Sequence, residues 1–299
     1  MAELWLFYVL SSVVIWGFSA ILDKIILTKY LNPFSYFIVF TPPILVMLAG
    51  ILLLVPINFS PIPFYSAFFA GAIGVLGYYF YAFAMKREEA SRIAALASLY
   101  PAFVAVLAAL LVGEIFSLKT YVGIAVMILG ATLISYKRGT LKKLIPVTIV
   151  LMIISTNFLY ATEQTISKIS LGSYSFWQFF GVYMIGRTFM LLPPLAVPNF
   201  RKNFIGEIKS LKKKIAFLAL FSSIIWLLAM IFFYYAASLG PITLVSTISI
   251  ISPFATLLFA AFISKFWPRT LKEEIDLTSF SLKLISILLI IFGIYLIAV

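Results

Sequence analysis

The sequence predicts an all-α integral membrane protein: ten transmembrane helices, built as two inverted five-helix repeats around a central cavity. Three observations carry that expectation. Apolar segments of about 20 residues, the length that crosses a bilayer core, recur ten times between short polar breaks. The second five segments match the first five in order. The basic residues crowd into alternate breaks. The 299-residue chain is 64% hydrophobic and 11% charged, whereas soluble domains run about 45–50% apolar and about 25% charged.

The spans fall at 4–27, 34–56, 62–85, 91–112, 118–136, 145–168, 174–197, 214–238, 242–264 and 279–298. Spans 4 and 5 set the pattern. Pro101 sits within span 4, with Ala94, Ala97, Ala105 and Ala108 spaced as small packing residues. A Gly113–Glu114 break follows, then Gly123 and Gly130 in span 5. A shift of 152 residues lays Pro101 on Pro253, Ala84 on Ala236, Ala108 on Ala260 and Ala109 on Ala261, and Gly293 answers Gly130. Span 1 (WGFSAILDKI, 16–25) lies on span 6 (YATEQTISKI, 160–169) at a shift of 144, which puts Lys24 on Lys168. Span 2 (SYFIVF, 35–40) lies on span 7 (SFWQFF, 175–180) at a shift of 140. Matches that keep their order while the offset drifts through the loops are what a duplicated unit leaves behind. The repeats are expected at 1–138 and 144–299, meeting near Lys137–Lys143. The breaks at 198–213 and 265–278 are charged and too short for a core of their own.

An odd number of spans per repeat makes the second repeat enter from the opposite side. Loop charge agrees. Nineteen of the 22 bases fall in loops 1–2, 3–4, 5–6, 7–8 and 9–10; Lys119 and Lys168 lie at the other face and Arg187 within span 7. Loop 2–3 has no base and its equivalent, loop 7–8, has six. The positive-inside rule puts the crowded face in the cytoplasm and both termini outside a plasma membrane.

The formal charge of +12 is explained by these clusters, so no nucleic-acid partner is expected. The chain has no cysteine and no histidine, which excludes disulfides, thiolate or imidazole metal sites and Ser-His or Cys-His nucleophiles. No Walker-type phosphate loop occurs, so ATP is not a direct energy source. The start, MAELWLFYVL, lacks a basic n-region, and the first apolar segment is expected to be retained.

The ordered features Trp16, Gly17 and Lys24 of span 1, the run Ala90, Ser91, Ala94, Tyr100 and Pro101, and Gly113–Glu114 followed by Gly123 and Gly130 resemble the drug/metabolite transporter (DMT) superfamily, in its ten-helix EamA-like branch. The resemblance implies two inverted five-helix bundles around a central cavity and passage of small metabolites, often amino acids, or drugs. Two departures stand out. Span 9 is followed by Ser264–Lys265 rather than Gly-Glu, and the charge count opposes the family habit of cytoplasmic termini.

Among candidate site residues, Glu163 comes first, because an ionisable side chain inside an apolar span is expensive unless it faces a cavity or a partner. At 100° per residue Thr156, Asn157, Tyr160, Glu163, Gln164 and Ser167 share one arc of about 120°. Glu163 is read as binding substrate or a coupling proton, against a structural hydrogen bond between helices. Arg187 is read as binding a substrate carboxylate or phosphate or pairing with Glu163, against a static ion pair. Trp16, Ser12, Ser19 and Asp23 form the matching arc of span 1; Asp23 and Lys24 are expected to snorkel to the interface. Lys24 and Lys168 are alternatively paired gate residues. Tyr78, Tyr79, Tyr81, Tyr100, Trp226, Tyr234 and Tyr235 are candidate stacking residues, against belt and packing roles. Pro101 and Pro253 free backbone carbonyls and permit gating kinks, or only passive bends. Glu88, Glu89, Glu114, Glu273, Glu274 and Asp276 are loop acids, read as helix capping or solvated charge.

The expected function is secondary-active transport, export or exchange, of small polar metabolites such as amino acids, or of drugs, by alternating access. A lipid flippase or scramblase, or an uncoupled facilitator, is the alternative; a membrane-embedded transferase lacks its catalytic residues. No cofactor is expected, protons are the candidate coupling ion, and the chain is expected to work as a monomer or homodimer.

Overall fold

The computed structural model describes residues 4–39, 41–85, 87, 93, 96–134, 146–252, 254–256, 258–259, 262 and 277–298. Among the described residues the secondary structure is helical throughout. In chain order the helices are α1 (Leu4–Lys29), α2 (Pro33–Val39), α3 (Thr41–Leu54), α4 (Pro61–Met85), α5 (Tyr100–Leu111), α6 (Leu118–Ile134), α7 (Val147–Leu171), α8 (Phe176–Leu191), α9 (Pro198–Ser210), α10 (Lys213–Leu239), α11 (Ile242–Ser249) and α12 (Leu277–Ala298). A 3₁₀ turn, Pro193–Ala196, joins α8 to α9.

Prolines open many of these helices. Pro33, Pro61 and Pro198 are first residues, where a missing N–H costs nothing and φ is already helical. Helix α8 starts with a capping box, in which Ser175 accepts from the Gln178 N–H and Gln178 returns a bond to the Ser175 N–H.

By length and composition, five segments among the described residues suffice to cross a membrane: Leu4–Asp23, Pro61–Ala84, Val147–Leu171, Phe176–Ala196 and Lys213–Leu239. Five shorter apolar helices sit at the other expected spans: Thr41–Leu54, Tyr100–Leu111, Leu118–Leu133, Ile242–Thr256 and Ile285–Ile297. Within span 4 a turn at Ser98–Leu99 interrupts the helix and precedes α5, with Pro101 in its first helical turn. The 198–213 break, expected as a charged loop, holds helix α9.

Packing is pairwise and recurrent. Helix α1 lies along α10 and α4 along α7; α1 touches α11 as α5 touches α7; α6 runs against α12, α3 against α8, and α5 meets α11. Glycines set the closest approaches. A Cβ on Gly123 would sit 2.9 Å from the Gly293 carbonyl oxygen, and one on Gly293 would sit 2.8 Å from the Gly123 carbonyl oxygen. Gly130 meets the Ser286 carbonyl, so partner numbers fall along α12 as they rise along α6, and the two are antiparallel. Gly293, aligned with Gly130 in sequence, thus touches Gly123. Side chains on Gly71 or Gly186 would collide with the carbonyls of Tyr183 and Phe68, so α4 and α8 meet backbone to backbone.

The interior is aromatic: Tyr183, Phe179, Phe180 and Phe233 are among the largest fully buried side chains. The outside is apolar too. Leu53 and Leu54 are 85% and 84% exposed, which suits lipid contact and would be an aggregation hazard in water.

Candidate functional site

Helix α7 carries the polar arc and sits at the centre, touching α4, α5, α8, α10 and α11. Thr156, Asn157, Glu163 and Ser167 are buried, and Tyr160 and Gln164 are half-buried. This helix is the least apolar of the long spans because its arc faces protein instead of lipid.

Glu163 is 6% exposed. Helix α4 makes room for it at Gly74, where any side chain would overlap the carboxylate. The Tyr183 hydroxyl of α8 donates to Glu163 Oε1, and the Tyr234 hydroxyl of α10 donates to the same oxygen at 2.9 Å. Arg187, 4% exposed, places Nη1 3.9 Å from Glu163 Oε1 and donates to the Tyr183 hydroxyl at 3.0 Å. Its guanidinium lies 5.0 Å from the Trp226 ring centroid, within cation–π range. The ion pair is therefore long and bridged by a tyrosine. Two charges so far from water each depend on the other, since an isolated buried charge costs several kcal/mol.

A second network surrounds Gln164 and Tyr100. Ser246 of α11 donates its hydroxyl to Gln164 Oε1. Tyr100 donates to the Ser246 carbonyl at 2.9 Å and shares a hydrogen bond with the Ser249 hydroxyl. Asn157 Nδ2 donates to the Leu96 carbonyl at 2.9 Å, beside the turn that precedes Pro101. That turn is bonded Leu99 N–H to Leu96 and Ala102 N–H to Leu99. The same bonds recur 152 residues later, from Ile251 to Ile248 and from Phe254 to Ile251. Pro253 lies outside the described residues.

On α1, Trp16 packs on Phe233 with centroids 5.4 Å apart, and its Nε1 is buried without a hydrogen-bond partner. Ser19 is buried one turn before Asp23. Asp23 does not reach for the interface as expected. Its Oδ1 accepts from the Tyr36 hydroxyl and from Ser222 Oγ at 2.6 Å, because α2 and α10 close over it. The Lys24 side chain lies outside the described residues. Lys168 donates from Nζ to the carbonyls of Ala237 and Gly240, both at 2.7 Å, and so caps the end of α10. Beside it, Glu114 accepts from the N–H groups of Ile242 (2.7 Å) and Thr243 (3.0 Å) and from the Thr243 hydroxyl (2.8 Å). Gly113, at φ 77°, makes the turn that aims Glu114 there, so the Gly-Glu pair caps a helix of the other half.

The structure brings Glu163 and Arg187 together and joins Gln164 to Tyr100. Tyr160 packs on Gly77 beside them. Tyr78 stands against Tyr81, with centroids 6.4 Å apart. Tyr235 edges onto Tyr8 and Phe176; the α10 hydroxyl that reaches Glu163 belongs to its neighbour Tyr234. The sequence reading missed Tyr183, although its i, i+4 spacing to Arg187 puts both on one face. Among the described residues no three His, Cys, Asp or Glu side chains gather to hold a metal. A cavity of about 500 Å³ lies elsewhere, between α5 and α6, lined by Ala102, Ala105, Val106, Ala109, Ala125 and other apolar residues.

Residues 3–136 match the family model of the EamA-like transporter family. The match covers a little under half of the chain. A solved structure, titled only as the crystal structure of a protein, superposes with a TM-score of 0.71 over 97% of this chain and 94% of that one, at 15% identity. That likeness concerns the fold alone, over nearly the whole chain. A comparison with curated proteins gives no match. Apolar helices and the match of residues 3–136 together indicate a multi-pass membrane protein.

Proposed function

We propose that this EamA-like protein is a secondary-active transporter, exporting or exchanging small polar metabolites or drugs across the plasma membrane, with amino acids as the leading substrate class. It works by alternating access between two oppositely inserted five-helix halves. The observation that carries the proposal is the buried Glu163–Arg187 pair where α4, α7, α8 and α10 converge. A zwitterion offers each member a new partner: its carboxylate to Arg187, its ammonium to Glu163. Inserting it exchanges one long ion pair for two direct ones. The bridging Tyr183 and Tyr234 hydroxyls are then free to follow whichever acceptor remains.

Support for the inverted repeat comes from packing register. The sequence offsets of 144 and 152 carry the observed pair Asp23–Ser222 onto Ser167 opposite Ala70. That position lies between the observed contacts Glu163–Gly74 and Ser170–Pro63. The recurrence of the turns at Leu99 and Ile251 supports it as well. The base-rich loops face the cytoplasm, and protons are the coupling ion, taken up at Glu163.

The test is uptake of labelled amino acids by proteoliposomes with and without a proton gradient. Glu163→Gln should lose gradient-driven accumulation and also weaken counterflow, because the amide offers the substrate ammonium no charge. Undiminished accumulation in that variant would remove Glu163 from coupling. The apolar cavity between α5 and α6 favours one second reading, lipid translocation. Movement of fluorescent phospholipid between leaflets, without amino-acid uptake, would select it.

A further inference from the structure

Helix α9 lies outside the polar cluster and is built unlike the other helices. Taken at 100° per residue from Val197, the apolar residues Phe200, Phe204, Val197, Ile208 and Ile205 occupy one arc of about 140°. The arc divides in two. Phe200 and Phe204 are half-buried against the protein, on the edge next to Glu207. Val197, Ile208 and Ile205 form the other edge and stay 54%, 36% and 43% exposed. Arg201, Lys209 and Lys202 stand within and beside that exposed edge, all three exposed. Lys212, Lys213 and Lys214 follow directly, also exposed, and Glu207 is the single acid from 198 to 214.

Glu207 is turned inward. It accepts from Asn32 Nδ2 and, at 3.4 Å, from the Asn32 N–H. Asn32 Oδ1 in turn accepts from the Ser35 N–H at 3.1 Å and caps α2, the helix whose Tyr36 binds Asp23. The acid is thus engaged by the protein while the bases are exposed.

We propose that α9 is an interfacial helix whose exposed Val197, Ile205 and Ile208 edge enters the acyl boundary while Arg201, Lys202 and Lys209 bind anionic phospholipid headgroups, holding the α1–α2 corner through Glu207. The occupant is the anionic leaflet surface itself. An exposed apolar edge flanked by cations matches a layer of acyl chains topped by negative headgroups, and a soluble acidic ligand would leave the isoleucines in water. The proposal stands apart from transport, so it survives a failed substrate assay.

The full-length protein is reconstituted into nanodiscs of phosphatidylcholine alone or with phosphatidylglycerol, and hydrogen exchange is followed for residues 198–210. The expected result is exchange slowed by about tenfold or more in the anionic discs, lost at high salt. Exchange of residues 147–171 should stay the same in both, which also reports that the fold is intact. The variant Arg201→Gln/Lys202→Gln/Lys209→Gln should erase the lipid difference. Equal exchange of 198–210 in the two lipids, a difference that salt does not weaken, or one that the triple variant keeps, would overturn the proposal.

Discussion

Replacing Glu163 by glutamine leaves a guanidinium buried among Tyr183, Tyr234 and Trp226 with no compensating charge. Breaking one side of a buried pair costs about 3–5 kcal/mol, so Glu163→Gln should lower the thermal midpoint in detergent by roughly 5–15 °C. The double variant Glu163→Gln/Arg187→Met should recover at least half of that loss. If it falls as far as the two single losses combined, the two residues do not act as a pair. Glu163 and Arg187 were legible because charge inside an apolar span stands out. Tyr183 and Tyr36 were not, because in a chain that is 17% aromatic a tyrosine carries no signal of its own; only its hydroxyl's partner, set by tertiary packing, distinguishes it. Asp23 was misjudged for a related reason. Its distance from the end of α1 suggested an interfacial position, and nothing local announced that Tyr36 and Ser222 would close over it.

At the scale of elements, the Gly113–Glu114 break is the clearest case of a short motif with a mechanical job. Glu114 satisfies two free N–H groups at the start of α11 and a hydroxyl beside them. Glu114→Ala should destabilise by about 1–3 kcal/mol, read as an earlier melt, with Glu114→Gln intermediate because it keeps an acceptor. Gly186→Ala should do at least as much harm. Its methyl would meet the Phe68 carbonyl, and overpacking costs about 1–3 kcal/mol; a melting point matching wild type would mean that α4 and α8 pack less closely than described. The five long apolar helices among the described residues were legible from hydropathy. Helix α9 was not, because six bases within 201–214 mask the spacing of Phe200, Phe204 and Ile208. The turn before α5 was half-readable: Pro101 announced a break, but its place at Ser98–Leu99, with Asn157 on the Leu96 carbonyl, depends on α7 lying alongside.

At the scale of the molecule, helices from early and late in the chain pair closely. Helices α1 and α10, α4 and α7, and α6 and α12 lie against one another across long sequence separations. The ordered matches that suggest a repeat are legible in sequence even where identity is low. The partner choice was not visible, since hydropathy says which segments are buried in lipid but not which neighbour each one meets. Opposite insertion of the halves makes one demand that no other arrangement shares: equivalent loops must lie on opposite faces. The chain has no cysteine, and Ser60 and Asn203 are both exposed, one between α3 and α4 and the other on α9. Single variants Ser60→Cys and Asn203→Cys should be labelled from opposite sides by a membrane-impermeant maleimide, Ser60→Cys in intact cells and Asn203→Cys only after permeabilisation. Labelling of both from the same side would contradict two inverted halves.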